Sequence, residues 1–331
     1  MTKLVAIASK QVQLHELIAC ARHFEVRDFR LHVFINQGRI DLDGVRLLIR
    51  EFCPESRLEV SSFDIDDRAT IARILGQKAE VVALPLYRAS AFYRRVPALR
   101  RRSTIVHVTD GLGDLFSMWE LQRAVIAKTP AALAKGALVI PQLRLCRADL
   151  EFNLFHPKKS PYARKSLGVG PFPMTAAKRQ RLECLVRTHR PLALVIDGFD
   201  LTAARIAAGV RIGSYIATRR DGGIIVNGRP HLEDEVICAE EVLEVMRPTV
   251  VIGCPSTALV AARCLHAGIP VFCITTSEAV KIRGPLFNKV FRRHASPFGV
   301  TFAGAASNAD AIDAQFDLIR TAIPPTIRAC A

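Results

Sequence analysis

Four short stretches carry residue types that could do chemistry together. The first is HVTDGLGD, residues 107–114, where Asp110 closes an aliphatic run and Gly111 and Gly113 follow. A carboxylate on a tight glycine turn at a strand end can take a proton from a hydroxyl, or it can simply cap the next helix. The glycines do not make the GxGxxG of a dinucleotide site. The second stretch is NGRPHLEDE, 227–235, with Arg229 and His231 following the aliphatic GGIIV. An imidazole at a strand end can donate to a phosphate or protonate a leaving group; it can also be an ordinary loop histidine. The third is EEVLEV, 240–245, where Glu241 opens a helix and can hold ribose hydroxyls or merely favour the first turn. The fourth is GCPSTAL, 253–259, in which Ser256 and Thr257 stand before the apolar LVAARCL. Free N–H groups and the positive end of the dipole meet at a helix mouth, which suits an anion such as phosphate, though an N-cap would use the same residues.

Those residues need a scaffold that brings strand ends together. KLVAIAS (3–9), FRLHVFI (29–35), EVVALPLY (80–87) and STIVHVTD (103–110) read as strands, with helical patterns at 12–24 and 43–52 between them. The alternation resumes with PLALVIDGF (191–199), a helix in LTAARIAAGV, GGIIVNG (222–228), a helix in EEVLEVM, TVVIGC (249–254), the helix after Pro255 and PVFCIT (270–275). This predicts an α/β protein of two Rossmann-like, doubly wound domains facing across a cleft, with ligands outside the carboxyl ends of strands. Residues 145–175 are rich in Pro, Lys, Gly and Ser and sustain no period. The expected boundaries are a first domain at 1–150, a linker at 151–175, a second domain at 176–305, and a last segment, 306–331, whose helix (308–323) crosses back to the first domain.

Composition narrows the partners. The net charge is +15, concentrated in runs such as YRRVPALRRRS (93–103) and KIRGPLFNKVFRRH (281–294), a field that attracts polyanions. Aromatics are only 7%, so nucleic acid is not the expected partner. No apolar run reaches the roughly 18 residues of a membrane span, and the N-terminus reads as a first strand rather than a signal peptide. A cytoplasmic protein is expected, with the anionic inner membrane as a surface it can touch. The nine cysteines are scattered without a CxxC pair, and the acidic DIDD (64–67) is a weak metal signal, so neither a disulfide framework nor a metal is expected. FHPKKSP (155–161) offers another His-Pro pair, but it follows no convincing strand, and His156 ranks below His231.

In this order the four stretches resemble the bacterial sialyltransferase and polysialyltransferase families of GT-B glycosyltransferases. Those families carry an acidic-acidic-Gly motif, a Lys-x-His-Pro motif, a Pro-x-Glu helix start and a late Ser-Ser/Thr motif. VTDGLGD, GRPHLED, AEEVL and CPSTAL are similar to them, and Gln13-Leu14 matches a Gln-Leu pair after strand one. Thr109, Arg229, Leu232 and Ala239 stand where the motifs have an acidic residue, Lys, Pro and Pro. The resemblance implies inverting transfer of sialic acid, or a related keto-sugar, from a CMP-activated donor to a hydroxyl of a glycan or lipid-linked glycan, with no metal or other cofactor. It implies Asp110 as the catalytic base and His231 as the catalytic group on the departing CMP phosphate, with Gly111, Arg229, Ser256 and Thr257 binding substrate or CMP and Glu241 on the ribose. The alternatives are a GT-B enzyme using another nucleotide sugar, and a non-catalytic polyanion binder of the same fold.

Overall fold

The computed structural model describes residues 1–34, 40–64, 67–85, 92, 95–109, 147–153, 162–170, 172–198, 201–219, 223–278, 280, 285–304 and 312–328. It divides into two compact units, Met1–Thr175 and Ala176–Ala331.

The first unit holds strands β1 (Lys3–Ala8), β2 (Asp28–Phe34), β3 (Arg57–Phe63), β4 (Val81–Leu84), β5 (Thr104–His107), β6 (Ala148–Asn153) and β7 (Ala163–Gly168). Its described helices are α1 (Gln13–His23), α2 (Leu42–Phe52), α3 (Arg68–Gly76) and the short α4 (Val96–Leu99). The sheet order is β3-β2-β1-β4-β5-β6-β7, and every neighbouring pair is parallel. A parallel sheet covered on both faces needs strands that are apolar throughout, and β1 and β4 are buried nearly end to end. Asp41 and Asp67 start α2 and α3, accepting from the amides of Asp43 (3.1 Å) and Thr70 (2.9 Å). The strand order reverses between β1 and β4, which is where such sheets open a crevice.

The stretch expected to be a linker carries β6 and β7, the last two strands of this first sheet. Its polar composition reflects the edge: Arg164 and Lys165 of β7 are exposed, and charges on an edge strand discourage pairing with other chains.

The second unit holds α5 (Ala176–His189), β8 (Ala193–Ile196), α6 (Ala203–Val210), β9 (Tyr215–Thr218), β10 (Ile224–Val226), β11 (Arg229–His231), α7 (Ala239–Val245), β12 (Val250–Gly253), α8 (Thr257–Leu265), β13 (Val271–Cys273), α9 (Pro285–Ala295), β14 (Val300–Phe302) and α10 (Ile312–Ala322). Its sheet runs β11-β10-β9-β8-β12-β13-β14. The five strands from β9 to β14 are parallel, while β10 and β11 are an antiparallel extension. The cause of the extension is Asn227-Gly228. Both residues have positive φ, 49° and 83°, which makes the two-residue turn that an Asn-Gly pair favours. The Asn227 side chain also accepts from the amide of Tyr215 at 2.8 Å, pinning the turn to β9.

The last helix, α10, packs against α6 inside the second unit. Phe316, Ile319 and Ile323 recur at helical spacing and are buried with Ile206, Ala207 and Val210. Gly209 makes room for this: a Cβ there would stand 2.3 Å from the Phe316 ring. The apolar stripe of this last helix, which the sequence led one to expect against the first domain, thus has a partner within its own unit.

Candidate functional site

The second sheet reverses its order between β8 and β12, and a cavity of about 260 Å³ opens at their carboxyl ends. Two glycines let these ends approach. A Cβ on Gly253 would lie 2.7 Å from Ile196 Cβ, and one on Gly198 would lie 2.1 Å from Cys254 Sγ. Ser256 lines the cavity, and its hydroxyl accepts from the Ala258 amide at 3.3 Å, so it is the N-cap of α8. Thr257 is the first residue of that helix. The mouth of α8, expected from the sequence, is thus placed at the switch point.

Three charged residues join it that sequence reasoning passed over. Asp197, at the end of β8, lines the cavity, and its carboxylate accepts from the Ala203 amide at the start of α6. Arg219, one residue past β9, lines the cavity with its guanidinium 3.7 Å from the Glu233 carboxylate. Glu240, in the first turn of α7, supplies a second carboxylate. Asp197-Gly198 had a signal, since it repeats the strand-Asp-Gly pattern that singled out Asp110-Gly111. Arg219 had none. The mouth of α8 with Arg219 can hold one phosphate, while two carboxylates suit sugar or ribose hydroxyls.

Glu241 is not among the lining residues. Its side chain is 1% exposed, and both oxygens lie 2.6 Å from Lys178 Nζ on α5. It also accepts from the Cys238 amide at 2.9 Å, closing a capping box at the start of α7. The helical phase explains the difference from expectation: adjacent residues on a helix point about 100° apart, so Glu240 reaches the cavity while Glu241 turns to α5.

His231 and Arg229 lie on β11, the returning strand of the hairpin, not at the end of a parallel strand. Strands β10, β9 and β8 separate β11 from β12, which puts the two roughly 19 Å apart at ordinary strand spacing. His231 does not line the cavity; its ring packs 5.3 Å from that of His189. Leu232, where the resembling motif has Pro, sits at φ 50°, a value closed to proline. The structure therefore does not bring His231 and Ser256 to one phosphate.

In the first unit, Asp110 and Gly111 lie outside the described residues, as does His156, but the residue before Asp110 is held tightly. Gln13 Nε2 donates to the Thr109 carbonyl at 2.8 Å. The Thr109 amide donates to Glu16 at 2.7 Å, and its hydroxyl donates to the same carboxylate. Gln13 Oε1 in turn accepts from the amides of Ser9 (2.7 Å) and Lys10 (3.1 Å). Gln13 and Glu16, one turn apart on α1, thus tie the ends of β1 and β5 together across β4, beside the first sheet's switch point.

No protein-family model matches the chain, and no curated protein matches it in sequence. Among solved structures, UGT71G1 of Medicago truncatula complexed with UDP-glucose is similar with a TM-score of 0.54 and 11% identity, over 96% of this chain and 89% of that one. The α/β-galactoside α-2,3-sialyltransferase of Photobacterium phosphoreum, a luminous marine bacterium, matches with a TM-score of 0.45 and 9% identity, over 91% and 98%. With two parallel-dominated sheets of Rossmann type, the chain has the GT-B fold of glycosyltransferases.

Proposed function

We propose that the chain is a glycosyltransferase that takes its sugar from a nucleotide donor held at the β8–β12 switch point. The observation that carries this reading is the cavity itself, which joins a helix mouth, one guanidinium and two carboxylates at the place where doubly wound sheets bind ligands. The finer reading is a CMP-activated acidic keto-sugar, supported by the order of the motifs and by a net charge of +15 that favours acidic donors and acceptors. In the reaction, the acceptor oxygen attacks the anomeric carbon as the bond to the CMP phosphate breaks. Asp110 receives the acceptor proton, and CMP departs with the bonding pair, inverting the centre. Ser256, the mouth of α8 and Arg219 hold the departing phosphate, because charge develops there in the transition state. Asp197 or Glu240 accepts from hydroxyls of the nucleotide. A glycan or lipid-linked glycan is the acceptor class, and the basic surface would draw the protein to anionic lipid; no helix among the described residues is long and apolar enough to cross a membrane.

A thermal-shift panel tests this. CMP at 100-fold its Kd stabilises a binding protein by about 2.7 kcal/mol. Stabilisation by CMP but not UDP supports the finer reading. Stabilisation by UDP alone moves the donor to another nucleotide sugar, and silence to every nucleotide, with steeply salt-dependent binding to polyanions, replaces the enzyme with a binding protein.

A further inference from the structure

We infer that Lys178 is a positioning residue for the nucleotide cavity, acting through Glu241. The inference rests on the reading of that cavity as the donor site. Lys178 Nζ donates to both oxygens of Glu241 at 2.6 Å and to the Val236 carbonyl at 2.8 Å. One turn further along α5, Arg181 meets Glu235 at 2.7 Å. Two residues on one face of α5 therefore tie down the ends of segment 235–241. The residues between those ties, Ile237 through Glu240, form a wall of the cavity. Within the segment, Glu241 accepts from the Cys238 amide, so the ion pair also sets where α7 begins and which way Glu240 points.

The chemistry of the tie supports a geometric role. Lys178 and Glu241 are 11% and 1% exposed. A buried ion pair gains little stability over apolar residues of the same size, because desolvating both charges offsets their attraction. What it does impose is one arrangement, since each charge left unpaired would be costly. The wall is held at a single register rather than merely packed.

The test measures the Kd for CMP by calorimetry, well below the melting temperature, for the full chain and for Lys178→Met, Lys178→Arg and the double variant Lys178→Met/Glu241→Leu. The positioning role predicts at least tenfold weaker CMP binding by Lys178→Met. It predicts rescue to within threefold by Lys178→Arg, and a double variant that melts like the unmodified chain yet still binds weakly. If Lys178→Met fails to fold, the double variant carries the test. A folded variant lacking the ammonium that binds CMP as the unmodified chain does reduces the pair to a packing element and overturns the inference. Where the unmodified chain takes UDP in place of CMP, the same variants are measured with UDP; failure of the unmodified chain to bind any nucleotide is a different result, which sinks the donor-site reading, and this inference falls with it.

Discussion

Replacing Glu16 by Ala should open the first unit at its switch point. Thr109 is 7% exposed, and two of its donors, the amide and the hydroxyl, end on the Glu16 carboxylate. Removing the acceptor leaves both donors buried without it. Each unsatisfied buried donor costs about 1–3 kcal/mol, so the pair should cost about 2–6 kcal/mol, with partial relaxation bringing the value to about 3. At 1.4 kcal/mol per factor of ten, exchange of the Thr109 amide by local opening should accelerate by roughly a hundredfold. Thr109→Val removes only the hydroxyl and should cost about 1 kcal/mol. The assay is native-state hydrogen exchange read at residues 106–109, with urea unfolding of the same variants. Because Asp110 follows directly in the chain, Glu16→Ala should also slow hydrolysis of the donor while leaving CMP affinity in the second unit unchanged. If Glu16→Ala shifts stability by less than 0.5 kcal/mol and leaves the Thr109 amide as protected as before, the clamp is not what holds the end of β5.

Other expectations are shorter. Burial holds the His32 imidazole, bonded to Ser61 at 2.7 Å, down at about 4 against an ordinary 6.5. The unfolded chain therefore takes up a proton that the folded one refuses. This contribution is whole above pH 6.5 and is lost as the pH falls towards 4, and His32→Gln should flatten the urea midpoint across that window. Gly198→Ala would drive a Cβ into Cys254 and should destabilise the second unit by about 1–3 kcal/mol and abolish CMP binding, by calorimetry. Gly228→Ala, at φ 83°, should cost about 1 kcal/mol or more in urea unfolding without touching CMP affinity. His231→Ala should change the Kd for CMP by less than threefold, whereas Ser256→Ala with Thr257→Val should weaken it at least fivefold; the opposite ranking would place the phosphate at the hairpin.

The central parallel strands are readable because fully buried strands are continuous apolar runs: KLVAIA, VVAL and VVIG leave little choice, whereas the short β9 and β14 give no such run. The strand β3, RLEVSSF, was not, since at an exposed sheet edge its pattern alternates weakly and its residues are half polar. β6 and β7 hid for a related reason, lying in a stretch whose lysines and prolines mark an edge as readily as a linker. The mouth of α8 could be placed because a Ser-Thr pair between an apolar strand and an apolar helix has few other uses. The place of His231 turns on Asn227-Gly228, a hairpin signal that reverses the chain after the aliphatic GGIIV and that the apolar pattern alone does not show. Glu240 against Glu241 is a matter of helical phase and of a lysine more than sixty positions away, which no local pattern contains.

Hydrogen exchange of the full chain with and without saturating CMP tests the placement of the donor most directly. Slowed amides should map to 197–198, 238–240 and 256–258, at the ends of β8 and β12 and the start of α7. Protection confined to residues 1–175, or to the β10–β11 hairpin, would contradict it.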